Sequence, residues 1–520
     1  MKNIVRKIYD FLTKPFVENF YFLFVLTLEA SIIDVIAWTI YGNPVFGLYM
    51  GAHGYIMCYG ITLVLGLINN VKWEGVYKRV FFVLGFINFV VDLAIHMTCK
   101  VGFTNDMVAI IMGTNISESR EFINTYFSLE IVLIIIGAVL LLYILSKINN
   151  IISNCGRLLT IPLFCLVLLV SVVVFVRKSE NWDGVFINKI ITMLSYKTPP
   201  DLRAFYSNPK VLTCDEELPD NLVLIIGESF SRSHSSLYGY DKETNPRLGQ
   251  MVDDSLLVVY DNVTSPSTST IKTFQSVMST YKPEYGNTVN WYECTTLMEI
   301  LSLAGYRTVW ISNQSPTGVH DNVVTKYAEL CDTTIWVGSK YKGIRKTDFD
   351  EQIINALIED GNEIIGSSKS VIIIHLMGSH YIFNERYPST FDRFKSEDYP
   401  NAISSQSSIL SEYDNSILYN DYVVSEIFQI FESRKAVGFY FSDHGLDIFN
   451  SSEDYFGHAI VSNPKSIDAA VQIPFVMYLS PSLCGLNPKI KDTVKAVIGA
   501  DFRTDKTIDL VTSILGIKVL

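Results

Sequence analysis

Hydrophobic and polar residues are distributed differently in the first and second parts of the chain. The first part contains five long apolar stretches, each close to the roughly 20 residues that a helix needs to cross a membrane. They are residues 20–40, 45–68, 80–97, 127–145 and 158–176. The pattern predicts a five-span transmembrane domain over residues 1–178. The first stretch is no cleavable signal peptide, because it is too long, contains Glu29 and Asp34, and is followed by further spans.

Positive charges near the predicted spans indicate how the chain is oriented. Nine lysines and arginines fall on one side, against only Lys100 and Arg120 on the other. Because positive residues favour the cytoplasmic side, we expect a cytoplasmic N-terminus. With five spans, everything after Arg177 would then lie outside the cytoplasm, in the periplasm if the cell has an outer membrane.

Residues 179–217 form a predicted linker. Within it, residues 181–196 (NWDGVFINKIITMLSY) place Trp182, Phe186, Ile190 and Met193 near helical spacing. This spacing fits a helix lying in the membrane interface, and it also fits an ordinary helix packed on a neighbouring domain. The sequence leaves both interpretations open.

Several ionisable residues lie inside the predicted spans, where charge is costly to bury in lipid. Glu29, Asp34 and Asp92, together with His96, should therefore face a polar cavity or one another. Whether they touch substrate stays open. The loop at residues 104–122 is the only substantial external segment between spans, and we expect it to border a lipid headgroup site.

Residues 218–520 have a different pattern, in which short β-branched runs alternate with helical stretches. The predicted strands are residues 221–226, 307–312, 370–376, 437–442 and 473–479. This alternation is typical of an α/β domain with a mostly parallel sheet. Continuous apolar runs such as VIII at residues 371–374 suit strands that helices cover on both faces.

Polar residues follow the predicted strands, at the edge of a parallel sheet where ligands gather. Glu228 follows the first strand, and Asp443 and His444 follow the fourth. This set of oxygen and nitrogen ligands suits a divalent ion, most plausibly zinc, which needs a fourth ligand. Also at strand ends or in the loops beyond are Asn313, Gln314, His375, His380 and His458.

Composition and charge exclude several classes of protein. With 49% hydrophobic residues and a mean hydropathy of +0.27, the chain cannot be wholly soluble or disordered. Up to Lys197 it carries 15 basic and 12 acidic residues, and beyond it 26 and 41, so the two parts are +3 and −15. The acidic second part would repel phosphate backbones, which excludes nucleic acid as a partner.

Four of the eight cysteines follow the last predicted span and lie in an oxidising compartment, which favours disulfides. They are Cys214, Cys294, Cys331 and Cys484, for which three connectivities are possible. We expect at least one disulfide among them. No CxxC pair occurs, so a cysteine-based zinc site does not fit.

The motifs around these residues resemble those of the membrane-bound phosphoethanolamine transferases that modify lipopolysaccharide, within the alkaline phosphatase and sulfatase superfamily. The resemblance spans nearly the whole chain. The matching segments include LVLIIGESFSRSHSSLYGYDKETNP, NVTSPSTSTIKTFQSVMS, GYRTVWISNQ, HLMGSHYIFNERYP, YDNSILYNDYVV and YFSDHG. STSTIK, WISNQ and YDNSILYND look closer to the branch that decorates core sugars than to the lipid A branch.

The resemblance implies roles for individual residues. Glu228, Asp443 and His444 match the zinc ligands, and the nucleophilic threonine falls at Thr270, with Thr268 as the alternative. The family positions that bind substrate or act as acid and base match His380 and His458, with Asn313, Gln314 and Glu118 as further substrate-binding candidates. The implied donor is phosphatidylethanolamine and the implied acceptor is lipopolysaccharide or a related glycolipid, in a bacterial inner membrane.

Other functions fit the residues less well. A sulfatase needs a Cys or Ser in a C/S-x-P-x-R setting, whereas residues 264–268 read TSPST, with a leading Thr and no Arg. A lipoteichoic acid synthase shares the spans and a threonine nucleophile, but in a G-K-T setting, whereas Ser269 precedes Thr270 here. A non-catalytic receptor would tolerate loss of metal ligands, and none is lost.

Overall fold

The structure is a computed structural model that describes most of the chain. Described are residues 2–40, 43–99, 128–176, 189, 200–213, 219–314, 323–337, 349–361, 365–366, 369–453, 455–458, 463–484, 492, 494, 496, 498 and 501–520. The chain forms two compact units, divided between residues 197 and 198. The predicted domain limits after residues 178 and 217 stay predictions.

The first unit is built from helices, most of them apolar. They are α1 (Lys2–Val17), α2 (Phe20–Ile40), α3 (Pro44–Leu65), α4 (Val71–Cys99), α5 (Leu129–Lys147), α6 (Asn149–Leu158) and α7 (Thr160–Val176). Within the described residues, α2 to α5 are each long and apolar enough to cross a membrane. A fifth span results if α6 and α7, bent by 75°, count as one. The predicted transmembrane domain of five spans is thus matched by four to five apolar helices of sufficient length.

Asp34, Asp92 and His96 contact polar partners inside this unit. His96 Nε2 lies 2.8 Å from Asp34 Oδ1, which joins α4 to α2. Lys189 is the one described residue of the predicted interfacial helix, and its ammonium group pairs with Asp92 of α4. Glu29 is also buried, at 6% exposed. The external loop 104–122, with Glu118, lies outside the described residues.

The second unit is organised around a seven-stranded mixed sheet. Its strands are β1 (Asn221–Gly227), β2 (Leu257–Val259), β3 (Arg307–Ser312), β4 (Thr333–Trp336), β5 (Ser370–His375), β6 (Ala436–Ser442) and β7 (Phe475–Leu479). Their order across the sheet is β2-β7-β6-β1-β5-β3-β4. β1, β3, β4, β5 and β6 pair in parallel, and β7 is antiparallel to both its neighbours. The predicted mostly parallel α/β fold is confirmed.

Helices cover both faces of the sheet. They are α8 (Pro246–Asp253), α9 (Thr270–Val277), α10 (Leu297–Leu303), α11 (Val323–Ala328), α12 (Glu351–Glu359), α13 (Ser404–Ile430), α14 (Pro464–Val471), α15 (Pro481–Cys484) and α16 (Thr507–Ile514). Successive residues of a strand point to opposite faces. Accordingly, Val371 and Ile373 of β5 pack in one apolar core while Ile372 and Ile374 pack in the other.

The strand register brings the ends of the central strands to the same edge. Gly227 of β1 pairs with Ser442 of β6, and Ile226 of β1 pairs with His375 of β5. His375 also pairs with Ser312 at the end of β3. The residues that follow these four strands therefore emerge side by side.

Short strand pairs add to this unit outside the central sheet. Val211–Thr213 pairs with Ile517–Val519, Val263–Thr264 with Phe502–Arg503, and Asp447–Ile448 with Phe456–Gly457. The first pair attaches part of the predicted linker to the C-terminal end of the chain.

The cysteines of the second unit were expected to form at least one disulfide. Cys294 and Cys331 carry free thiols in the structure, so neither contributes to a disulfide. The side chains of Cys214 and Cys484 lie outside the described residues. The expected disulfide therefore stays a prediction only for the pair Cys214 and Cys484.

Candidate active site

Three buried side chains meet at the carboxyl edge of the sheet. Glu228 directly follows β1, and Asp443 and His444 directly follow β6. One ligand atom from each of them lies within 4.8 Å of the others. They are the one group of at least three His, Cys, Asp or Glu side chains with such geometry among the described residues. The sequence prediction placed all three in a metal site.

Hydrogen bonds orient the ligand atoms of this cluster. Asp443 Oδ1 accepts from the backbone N–H groups of Ser229, at 3.1 Å, and His444, at 2.7 Å. Its other oxygen, Oδ2, is buried without a hydrogen-bond partner among the described residues. His444 Nδ1 lies 2.8 Å from the Gly445 carbonyl oxygen. A proton on Nδ1 would therefore be donated to that carbonyl, which leaves the lone pair of Nε2 for a metal.

Burial makes the two carboxylates costly to ionise without a cation. Burial raises the pKa of Asp443 to about 6. Burial also raises the pKa of Glu228, and the negative charge of Asp443 raises it further. A divalent ion would offset both effects, because it favours the charged form of each carboxylate. The unpartnered Asp443 oxygen and the hard oxygen and nitrogen donors thus fit a divalent metal, for which zinc is a standard occupant.

Thr270 brings a hydroxyl group to the same cluster. It is the first residue of α9, after Ser269 in extended conformation. Its Oγ1 lies 3.2 Å from Glu228 Oε2 and 3.4 Å from His444 Nε2. A helix N-terminus also presents free N–H groups that favour a phosphate. The geometry thus supports Thr270 over Thr268, whose recorded contact is made by its backbone carbonyl to His458.

Ser229 links the two carboxylates, a role that was not predicted from the sequence. Its backbone N–H bonds Asp443, while its hydroxyl donates to Glu228 Oε1 at 2.7 Å. Its φ of +58° is rare for a residue other than glycine. The hydroxyl of Tyr413, on α13, holds this turn by donating to the Ser229 carbonyl at 2.7 Å. No sequence pattern marks a serine with left-handed backbone.

The two predicted acid–base histidines also lie near the cluster. The ring of His458 is 4.8 Å from the ring of His444, measured between centroids. His380 lies five residues beyond β5, and the Arg386 guanidinium donates to its carbonyl at 2.8 Å. Burial lowers the pKa of His380 to about 4, although the charge of Glu228 opposes the shift. His380 is therefore neutral at pH 7.

The predicted amide side chains are also at this edge. Gln314 Nε2 donates to the Leu376 carbonyl at 3.1 Å and lies 3.5 Å from Glu228 Oε2. Asn313 Nδ2 instead donates to Asp350 Oδ1 at 3.0 Å. Asp350 was not singled out from the sequence. The substrate-binding roles of Asn313, Gln314, His380 and His458 stay predictions, and Glu118 lies outside the described residues.

His375 is a fully buried histidine beneath this site and should make the protein sensitive to acid. Burial and the charge of His380 lower its pKa from 6.5 to about 3. The unfolded chain takes up a proton below pH 6.5 that the folded protein takes up only near pH 3. Stability should therefore fall as the pH drops from 6.5, by at most about 1.4 kcal/mol per pH unit from this residue.

Melting temperatures between pH 7 and pH 5 would test this prediction on the purified protein. His375→Asn should have a lower melting temperature than wild type at pH 7. Between pH 7 and pH 5, however, its melting temperature should fall by less than that of wild type. Parallel curves for the two proteins would show that His375 is not the group responsible.

Comparisons with known proteins identify the family and match the fold. The sequence matches the Sulfatase family over residues 220–517, more than half of the chain. It is 26% identical over 426 residues to the phosphoethanolamine transferase EptC of Escherichia coli K12, covering 74% of this chain and 71% of that protein.

Many solved structures are similar to this chain, among them the following two. The periplasmic domain of E. coli EptC, in complex with Zn, shares 25% identity with a TM-score of 0.53, over 60% of this chain and 86% of that one. The integral membrane lipooligosaccharide phosphoethanolamine transferase A from Neisseria meningitidis has the same fold over 96% of this chain and 95% of that one, with a TM-score of 0.68 at 19% identity.

The chain therefore belongs to the sulfatase family. Within it, the chain is a membrane enzyme of the kind represented by the phosphoethanolamine transferases, to which its similarity extends over about three quarters of its length.

Proposed function

We propose that this enzyme transfers phosphoethanolamine from phosphatidylethanolamine to lipopolysaccharide, through a covalent intermediate on Thr270 at a zinc site. The observation that carries the proposal is the Thr270 hydroxyl, 3.2 Å from Glu228 Oε2 and 3.4 Å from His444 Nε2 in a buried cluster. A hydroxyl so placed is a weak nucleophile that its surroundings can activate. The similarity to curated phosphoethanolamine transferases supports the choice of the transferred group.

Zinc would be held by Glu228, Asp443, His444 and the Thr270 oxygen. The Zn complex of the E. coli EptC domain supports this assignment, as does the unpartnered Asp443 Oδ2. When bound, the ion lowers the pKa of a hydroxyl group beside it and stabilises negative charge on phosphoryl oxygens. The remaining chemistry belongs to the side chains of the protein.

The reaction would proceed by two displacements at phosphorus. In the first, Thr270 Oγ1 forms a bond to phosphorus, the bond to the diacylglycerol oxygen breaks, and the threonine proton passes to that oxygen. In the second, an acceptor hydroxyl oxygen attacks the same phosphorus, the Thr270 ester bond breaks, and the acceptor proton returns to Thr270. Splitting one difficult displacement in two is the usual advantage of covalent catalysis.

His380 and His458 would move these protons. A neutral histidine can accept a proton from the attacking hydroxyl and give it to the departing oxygen. His380 is neutral at pH 7 because burial lowers its pKa to about 4. The His458 ring lies 4.8 Å from that of His444, and its Nδ1 is 3.1 Å from the Thr268 carbonyl oxygen. Gln314 would bind the phosphoryl or ethanolamine group.

The localisation follows from the same proposal. Nine positive residues against two favour a cytoplasmic N-terminus, and five spans would then place residues after 177 in the periplasm. Donor and acceptor are both lipids, so anchoring the enzyme in their membrane raises their effective concentration. The STSTIK, WISNQ and YDNSILYND segments favour a core sugar over lipid A as the acceptor.

Mass spectrometry of lipopolysaccharide tests the proposed function. Cells that express the wild-type chain should carry lipopolysaccharide heavier by phosphoethanolamine, and cells that express Thr270→Val should not. Fragmentation would assign the group to the core sugars or to lipid A. Identical spectra with an active purified enzyme would exclude lipopolysaccharide as the acceptor.

A further inference from the structure

Asp350 is a buried carboxylate that touches two of the segments around the active site. It is 4% exposed and directly precedes α12. Its Oδ1 accepts from the Met377 backbone N–H at 2.8 Å and from Asn313 Nδ2 at 3.0 Å. Its Oδ2 accepts from the Gly378 backbone N–H at 2.9 Å. One side chain thus joins the segment after β3 to the segment after β5.

The ordinary role of an aspartate before a helix does not explain this arrangement. Such a residue usually caps the helix by accepting from its first N–H groups, yet Asp350 makes no side-chain hydrogen bond to α12. All three of its recorded partners are N–H donors that face the active-site edge. A buried carboxylate is retained at such a position when its hydrogen bonds satisfy it.

Asp350 holds a turn formed by residues 377–380, and this turn packs closely against the proposed metal ligand Glu228. Gly378 has a φ of +52°, and a Cβ atom there would lie 2.8 Å from both the N and the O of Glu228. The Ser379 backbone N–H donates to the Glu228 carbonyl at 3.0 Å. The same turn leads to His380, whose N–H bonds the Met377 carbonyl at 3.2 Å. A shift of this turn would therefore move Glu228 and His380 together.

We propose that Asp350 is a positioning residue for the transfer reaction. It holds residues 377–380 against Glu228 and fixes the Asn313 amide at the neighbouring strand end. The expected loss of activity rests on the proposed function. The hydrogen bonds of Asp350 do not depend on it. Small displacements of groups that bind substrate cost about 100-fold in rate, so Asp350 should matter without touching the substrate.

The test compares Asp350→Asn with Asp421→Asn in the full-length enzyme. Asp421 is a matched control, because it is 1% exposed and accepts from the backbone N–H groups of Arg247 and Leu248, both at 2.9 Å. In each variant, an amide NH2 replaces an oxygen that faces N–H donors. Both variants should therefore melt at lower temperature than wild type.

Only Asp350→Asn should lose function, with kcat/KM for diacylglycerol release from phosphatidylethanolamine falling about 100-fold. Amide hydrogen exchange in residues 376–380 should accelerate about tenfold or more in this variant alone. Asp350→Asn kinetics within threefold of wild type, or equal losses in both variants, would overturn the proposal. If wild type releases no diacylglycerol, the proposed function fails while the exchange measurement still tests the role of Asp350.

A second pair of variants covers the case in which Asp350→Asn does not fold. Gly378→Ala pushes the turn away from Glu228 without altering the Asp350 carboxylate. Gly239→Ala is its control, since Gly239 has a φ of +90° but nothing within 4 Å of the added Cβ. Both variants carry the strain of a left-handed alanine. Gly378→Ala should lose kcat/KM about 100-fold relative to Gly239→Ala, and equal activity of the two would overturn the proposal.

Discussion

Glu228→Gln should lose zinc and activity together. The substitution keeps the shape of the side chain but removes the charge that binds the ion. Residues that merely orient a metal ligand contribute 10-fold to roughly 100-fold in affinity, so loss of a ligand should weaken zinc binding by roughly 100-fold or more. Metal content after purification and competition with a chelator would measure the loss, and diacylglycerol release would measure the activity.

Glu299→Gln is the matched control for this substitution. Glu299 is another buried glutamate, 1% exposed, and it accepts from the Asn208 backbone N–H at 2.6 Å, outside the metal cluster. Its variant should melt at a lower temperature but retain zinc and turnover. Full zinc occupancy and normal turnover in Glu228→Gln would remove Glu228 from the metal site.

Thr270→Val should abolish transfer although the site keeps its shape. Valine is β-branched like threonine and begins a helix with a similar side-chain volume, but it has no hydroxyl to attack phosphorus. Loss of an enzyme nucleophile costs on the order of 10⁴-fold or more in turnover. Thr270→Ser retains a hydroxyl and should keep most of the activity. The measurement is the rate of diacylglycerol release with each variant.

A Thr270→Val enzyme with wild-type turnover would exclude Thr270 as the nucleophile. If instead Thr268→Val is the inactive variant, the nucleophile lies two residues earlier, which was the alternative that the sequence left open. Zinc content should be compared in the same samples, since Thr270 is also a proposed ligand.

Much of the fold could be predicted because burial leaves a local pattern. β1, β5 and β6 are buried at every position and each contains a continuous apolar run, as strands buried on both faces require. β2 and β4 were missed because they lie at the edges of the sheet, are short and are partly exposed. A short, half-buried strand has too few residues for its periodicity to stand out.

In the candidate site, too, only the residues that a local sequence pattern marks could be predicted. Glu228, Asp443 and His444 could be predicted because each directly follows a recognisable strand, and parallel strands end at one edge. Ser229 and Asp350 could not, since their roles depend on hydrogen bonds to residues far away in sequence, such as the bond from the Ser229 N–H to Asp443. Asp350 is 27 residues from Met377 and 37 from Asn313 in sequence. Hydrophobic periodicity contains no information about such pairings.

The most direct measurement of the central claim is the mass of the peptide that contains Thr270. The purified enzyme would be incubated with phosphatidylethanolamine in the absence of an acceptor, then denatured and digested. A phosphoethanolamine group should be found on Thr270, and it should be absent from Thr270→Val. An unmodified Thr270 in enzyme that releases diacylglycerol under the same conditions, with full activity of Thr270→Val, would contradict the covalent mechanism.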